Sequence, residues 1–168
     1  MCSLYLISAA VLPLARRFNP EAVVITCGAD GLDGDPLSGM HLTNTVLWDA
    51  VQSCIELAPR AVVLGGGGYN PWTTARCWAG LWARLCGFDI PGVLPENAQA
   101  ILRRLECDLI DEEDFEQAWV TTLADARRAK GQADTVRAEV KSLVERDATT
   151  STRSAATRVD PRVEHGMV

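Results

Sequence analysis

Histidine is scarce in this chain: of 168 residues, only His41 and His165 carry an imidazole. No Asp-x-His, His-His or His-x-x-x-His pair occurs. Taken alone, the sequence therefore cannot build a three-ligand catalytic zinc site or an imidazole acid–base pair. No nucleophile stands on a recognisable elbow, which leaves Ser-His-Asp and Cys-His catalysis unsupported. Positive charge is also in deficit. Sixteen Lys and Arg against 22 Asp and Glu give a net charge of -6, whereas a nucleic-acid surface normally shows a basic patch. The apolar stretch Leu4 to Leu14 has no basic residues before it and no cleavage-like site after it. It is too short to span a bilayer, so neither a secretory leader nor a membrane partner is expected. The six cysteines include no C-x-x-C pair. They read as buried, reduced thiols of a cytoplasmic protein rather than a disulfide framework.

What is present is ordinary for a globular chain, with 48% hydrophobic and 23% charged residues and enough length for one core. Ser8 to Phe18 reads as an amphipathic helix ended by Asn19-Pro20. Ala22 to Cys27 is a β-branched run expected to form a strand buried on both faces. Gly28 to Gly39, rich in Gly and Asp, reads as a tightly turned loop in which Gly31 and Gly34 supply positive φ. Helical spacing resumes from Leu42 to about Leu57 and ends at Pro59. The pattern then repeats: strand Ala61 to Leu64, glycine loop Gly65 to Gly68, and a helix opened by Pro71 and running to about Cys86. Strand, loop, helix, twice over, is the signature of a parallel α/β sheet with chemistry on the loops at its carboxyl end.

Further along, Ala98 to Leu105 suggests a short helix, and Phe115 to Leu123 a packed appendage. The acidic run Asp111 to Asp114 reads as a solvated surface. The chain thus divides into an α/β unit over residues 1–125, a surface helix within 126–146 and a disordered tail over 147–168.

Asp30 lies just past the first strand, where its carboxylate can bind a metal, act as a base, or cap its own loop. Asp33 and Asp35 read as turn residues. Four consecutive glycines, Gly65 to Gly68, imply that something approaches the main chain closely. Phosphate is one candidate, but the run matches neither a dinucleotide fingerprint nor a P-loop. Tyr69 offers a phenol to a developing oxyanion, or else serves as an aromatic plug. His41 caps or faces solvent.

The strand ending Cys27-Gly28-Ala29-Asp30, its continuation Leu32-Asp33-Gly34-Asp35-Pro36-Leu37, the run Gly65 to Tyr69 and the later Ala75-Arg76-Cys77-Trp78 together resemble the histone deacetylase superfamily. The resemblance runs from about Ala9 to Pro95, and the later stretches look like its bacterial acetoin-utilization branch. Met1 to Leu6 finds no place in it. The resemblance implies the C-terminal part of a three-layer arginase/deacetylase-like α/β fold. It also implies zinc as cofactor and acetylated lysine proteins or peptides as substrates. On that reading Asp30 is a zinc ligand, Tyr69 the catalytic oxyanion donor, and Leu37, Gly67 and Gly68 line the acyl-lysine tunnel. The family's histidine pair and Asp-x-His lie upstream of the matching stretch, which implies a fragment inactive alone and prone to self-association through its strand edges. The alternative is a non-catalytic module whose glycine loop binds acyl-lysine or phosphate.

Overall fold

The computed structural model describes residues 5–126 together with 138, 139, 141, 142, 145 and 146. A π-helical turn, Ile7–Val11, runs into α1 (Leu12–Phe18), which stops where Asn19 turns into the left-handed region at φ 52°. Strand β1 (Val23–Thr26) follows, then α2 (Asn44–Ile55), β2 (Ala61–Leu64) and α3 (Pro71–Leu85). Two short helices, α4 (Glu96–Leu102) and α5 (Ala118–Thr121), come after, with a 3-10 turn at Glu112–Asp114 between them. The strands β1 and β2 pair in parallel, Val23 against Ala61 through Thr26 against Leu64. The β-loop-α order expected from the sequence is the order observed, and the class is parallel α/β.

One expectation needs correcting. The strands are not buried on both faces. Ile25 and Val63 turn into the core, whereas Val24, Val62 and Leu64 are exposed. A continuous β-branched run predicts burial on both faces only where helices cover both. In this structure α2 and α3 cover only one face of the pair, so alternate residues reach solvent.

The covered face packs Cys27, Trp48, Val51 and Leu81 together, with Leu47, Ile55 and Trp78 around them. Trp48 is the centre of this cluster. It is 1% exposed, and its indole N–H donates to the Cys77 carbonyl at 2.9 Å, so a large ring is buried with its one polar atom satisfied. Truncating such a ring typically costs about 3–5 kcal/mol.

The appendage expected around Phe115 to Leu123 does pack. Trp119 and Val120 close over Trp72, with Leu102, Leu105 and Ile110 at the margin, and Phe115 stands edge-on to both tryptophan rings. Behind this cluster the chain is fastened by buried polar groups. Arg76, 2% exposed, donates from Nε to the Thr122 carbonyl at 2.6 Å and pairs with Asp125 at 2.8 Å. Asp125 also accepts the Asn44 N–H, while the Asn44 side chain bonds Leu123 O and Asp125 N. A guanidinium taken out of water needs such compensation, and removing one partner of a buried pair leaves the other stranded. The arrangement ties residues 122–125 to the first turn of α2 and the middle of α3.

The six described residues between 138 and 146 are helical, and the tail over 147–168 lies outside the described residues. Among the described residues, no helix is long and apolar enough to cross a membrane.

Gly80 faces Trp48 inside α3. A Cβ there would fall 2.9 Å from Cε2 of the indole, closer than a real contact allows. Helix propensity alone would make Gly80→Ala stabilising by up to about 1 kcal/mol. Overpacking against a buried ring reverses that sign, with an expected net loss of about 1–3 kcal/mol by denaturant titration. A more stable variant would show that the ring shifts freely.

Candidate active site

Because β1 and β2 run in parallel and in register, the loops that leave them emerge side by side. Cys27 N–H donates to Leu64 O at 3.1 Å, and Ala29 N–H donates to Gly67 O at 2.6 Å, so the pairing continues past both strand ends. This pairing explains the glycines directly. A Cβ on Gly67 would lie 2.7 Å from Cγ of Asp30, and one on Gly66 would lie 2.7 Å from Gly28 Cα. What approaches the main chain closely is the neighbouring loop. Gly68 meets a second demand, with φ at 149° and Ala29 and Thr74 packed against it.

Asp30 is half-buried, its carboxylate lying across Gly28 and Gly67. Among the described residues no N–H donates to it, so it does not cap its loop. The cap is Asp35. That side chain, 6% exposed, accepts the Leu37 N–H at 3.0 Å on Oδ1 and the Tyr69 N–H at 2.8 Å on Oδ2. Next to it, Asn70 donates from Nδ2 to Gly34 O at 2.9 Å and accepts the N–H groups of Trp72 and Thr73 as N-cap of α3. Of the two glycines expected at positive φ in the first loop, Gly34 has it, at 82°, and Gly31 does not. Gly31 instead sits where the loop closes on itself, its carbonyl accepting Leu42 N–H at 3.1 Å.

Tyr69 stands at the rim, 46% exposed, with its phenol unbonded among the described residues. It is not a plug. Leu37 is 62% exposed, its N–H shares the Asp35 carboxylate with that of Tyr69, and Gly67 lies against Asp30. The structure thus brings together all five residues singled out in the sequence. His41 is apart from them, mostly exposed and paired with Asp33. Thr43 rather than His41 caps α2. The turn role expected of Asp35 is observed in its bond from the Leu37 N–H, and its second bond, from the Tyr69 N–H, and the capping by Asn70 add to it. Asn70 followed by Pro71 is an N-cap and first-turn proline that the sequence displayed. The reach of Asp35 to Tyr69 spans 34 residues and has no local signal.

Three protein ligands are the minimum for a catalytic zinc. Among the described residues no group of three His, Cys, Asp or Glu side chains gathers. The described residues therefore do not fit a complete zinc site, and Asp30 stands as a single free carboxylate.

Residues 2–85, half of the chain, match the model of the histone deacetylase domain. This chain belongs to the histone deacetylase family. The match begins at residue 2, so the first six residues, which had no place in the sequence reading, fall almost entirely within the family stretch. Histone deacetylase 8 of Xenopus laevis is 36% identical over 80 residues, which is 48% of this chain and 25% of the relative. Histone deacetylase 7 of Arabidopsis thaliana is 36% identical over 90 residues, 51% of this chain and 22% of the relative. The chain thus spans about a quarter of the length of these relatives. Among solved structures, a histone deacetylase homologue from Aquifex aeolicus superposes with a TM-score of 0.70 at 29% identity. That superposition covers 85% of this chain and 37% of the homologue. A homologue complexed with SAHA gives a TM-score of 0.71 at 30% identity with the same coverage. All five candidate residues fall within residues 2–85.

Cys27, Cys54, Cys77, Cys86 and Cys107 are all free thiols. Burial raises Cys27 and Cys54, and it pushes Cys77 up to about 12, with the neighbouring Cys27 acting in the same direction. At pH 8 Cys77 is therefore far less ionised than an ordinary thiol. Iodoacetamide at pH 8 is expected to label exposed Cys86 early and to leave Cys77 unmodified until the chain unfolds. Raising the pH should quicken Cys77 labelling, and early labelling of Cys77 by peptide mapping would contradict its burial.

Proposed function

We propose that this chain carries one wall of the active site of a deacylase that hydrolyses the Nε-acetyl-lysine amide of acetylated proteins or peptides. The observation that carries this reading is the Asp30 carboxylate and the Tyr69 phenol, both without hydrogen-bond partners among the described residues, the first lying against Gly67 and the second following Gly68. An aliphatic acyl-lysine chain needs a narrow path without obstructing side chains, and Gly67 and Gly68 leave one. Hydrolysis develops negative charge on the acyl oxygen. A phenol that has no ground-state partner is free to donate to that oxygen as the charge appears. His41, mostly exposed and paired with Asp33, is not assigned as the proton acceptor for the attacking water.

The activity is read as zinc-dependent, with Asp30 as one ligand and the remaining ligands, with the histidine pair, contributed by residues outside this sequence. Acting alone, the chain is inactive on this reading. Its setting is cytoplasmic, its branch that of the acetoin-utilization proteins, and the exposed residues Val24, Val62 and Leu64 make it prone to self-association.

The test is a hybrid that joins this chain behind the remaining part of the Aquifex aeolicus homologue, assayed with an acetyl-lysine peptide. Turnover is expected for the hybrid and none for the chain alone. In the hybrid, Tyr69→Phe keeps the ring and deletes one donor. A fall in kcat of roughly 10²–10³ is expected, with little change in KM or melting temperature. Full activity of Tyr69→Phe, or turnover by the isolated chain, would contradict the assignment. Stoichiometric binding of the peptide without turnover in the hybrid would favour a binding module instead.

A further inference from the structure

We propose that Asp35 is the positioning residue for Tyr69: one buried carboxylate holds the main chain at both Leu37 and Tyr69 and so fixes the base from which the phenol projects. The functional meaning of this assignment rests on the deacylase reading, whereas the contact it describes does not.

The chemistry of the contact is selective. Two main-chain N–H groups, from Leu37 and Tyr69, converge on one side chain that is 6% exposed, and each takes its own oxygen. The bond to Leu37, two residues on, is the local turn that an aspartate makes wherever the chain reverses. The bond to Tyr69 is not local and uses the oxygen that the turn leaves over. An ionised carboxylate is acceptor-only, so it serves both donors with charge-assisted bonds. An asparagine would serve one and turn its own NH₂ toward the other. A serine has a single oxygen, and a glutamate would displace both bonds by a methylene.

The surroundings fit a positioning role. Tyr69 lies between β2 and α3, outside any regular element, so no ladder or helix would hold its N–H. Asn70, fully buried, adds a parallel strut from the adjacent position to Gly34 O at 2.9 Å. Residues 34, 35 and 37 are thereby fastened to 69 and 70. The main chain of Tyr69 is fixed while the residue remains 46% exposed and its hydroxyl has no partner among the described residues. A donor to a developing charge needs that combination, because a loosely held phenol would lose the geometric advantage of preorganisation.

The experiment is amide hydrogen exchange by NMR on the intact chain, wild type and Asp35→Asn. In the wild type, the Leu37 and Tyr69 amides are expected to be protected despite lying in loops. In Asp35→Asn the local Leu37 bond survives, and Tyr69 exchange accelerates by at least about tenfold. The Trp48 indole N–H and the Asn44 amide, held elsewhere, report general destabilisation and are expected to stay unchanged. Tyr69 protection that persists in Asp35→Asn would overturn the proposal. Should the variant fail to fold, a wild-type Tyr69 amide exchanging at the open-chain rate overturns it equally, and a protected one supports it. Adding an Nε-acetyl-lysine peptide to the wild type separates the two readings. A peptide that shifts neither the Leu37 nor the Tyr69 signal counts against the deacylase reading, while the exchange data still decide the role of Asp35.

Discussion

Ala29 N–H and Gly67 O meet at 2.6 Å, and the shape of the crevice follows from that main-chain contact. Two loops that leave adjacent parallel strands would ordinarily splay apart, since nothing in the ladder constrains them once the strands end. Here they continue to pair, and they can do so only because no Cβ stands at Gly28, Gly66 or Gly67. The entropy lost by ordering consecutive glycines is offset by a wall thin enough for the Asp30 carboxylate to lie across it. The glycine run is in this sense a structural requirement.

The rest of the structure keeps this contact in place. Helices α2 and α3 cover one face of the strand pair through Trp48, Cys27 and Leu81. Their orientation is set in turn by the buried Arg76, whose guanidinium reaches Thr122 and Asp125 and so closes the appendage against them. A buried guanidinium adds little net stability compared with apolar packing, but it admits few alternative arrangements. The active-site loops therefore sit on a platform fixed by directional bonds beneath and by Trp72, Phe115 and Trp119 at the side. Among the described residues, the Asp30 carboxylate and the Tyr69 phenol have no hydrogen-bond partner, and the buried Thr74 hydroxyl, which lies beside Gly68, has none either.

Much of this was legible in the amino-acid order, and the reasons are local. Val23 to Thr26 and Ala61 to Leu64 are short β-branched runs bounded by breakers, and Pro71 marks a helix start, so strands and helices fell close to where they were expected. Asp30 and Tyr69 stood out because each follows a strand end, where parallel sheets place their chemistry. What local pattern misjudged depends on the chain's three-dimensional surroundings. The exposure of Val24 and Val62 reflects which helices cover the sheet, not the residues themselves. Asp30 looked as suited to capping as Asp35, and only the position of Tyr69, 34 residues after Asp35, separates their roles. Gly31 and Gly34 looked alike as turn residues, and only the loop's closure onto Leu42 distinguishes them.

The central claim is that this member of the histone deacetylase family presents Asp30 as a free carboxylate on a preformed wall but does not gather a complete metal site from the residues described. Calorimetric titration of zinc into the isolated chain at neutral pH tests it directly. One carboxylate without companion ligands predicts only weak binding, about millimolar or poorer, and no stoichiometric step. A one-to-one step of micromolar or tighter affinity that Asp30→Asn abolishes would contradict it, showing that the chain assembles the missing ligands from its own residues.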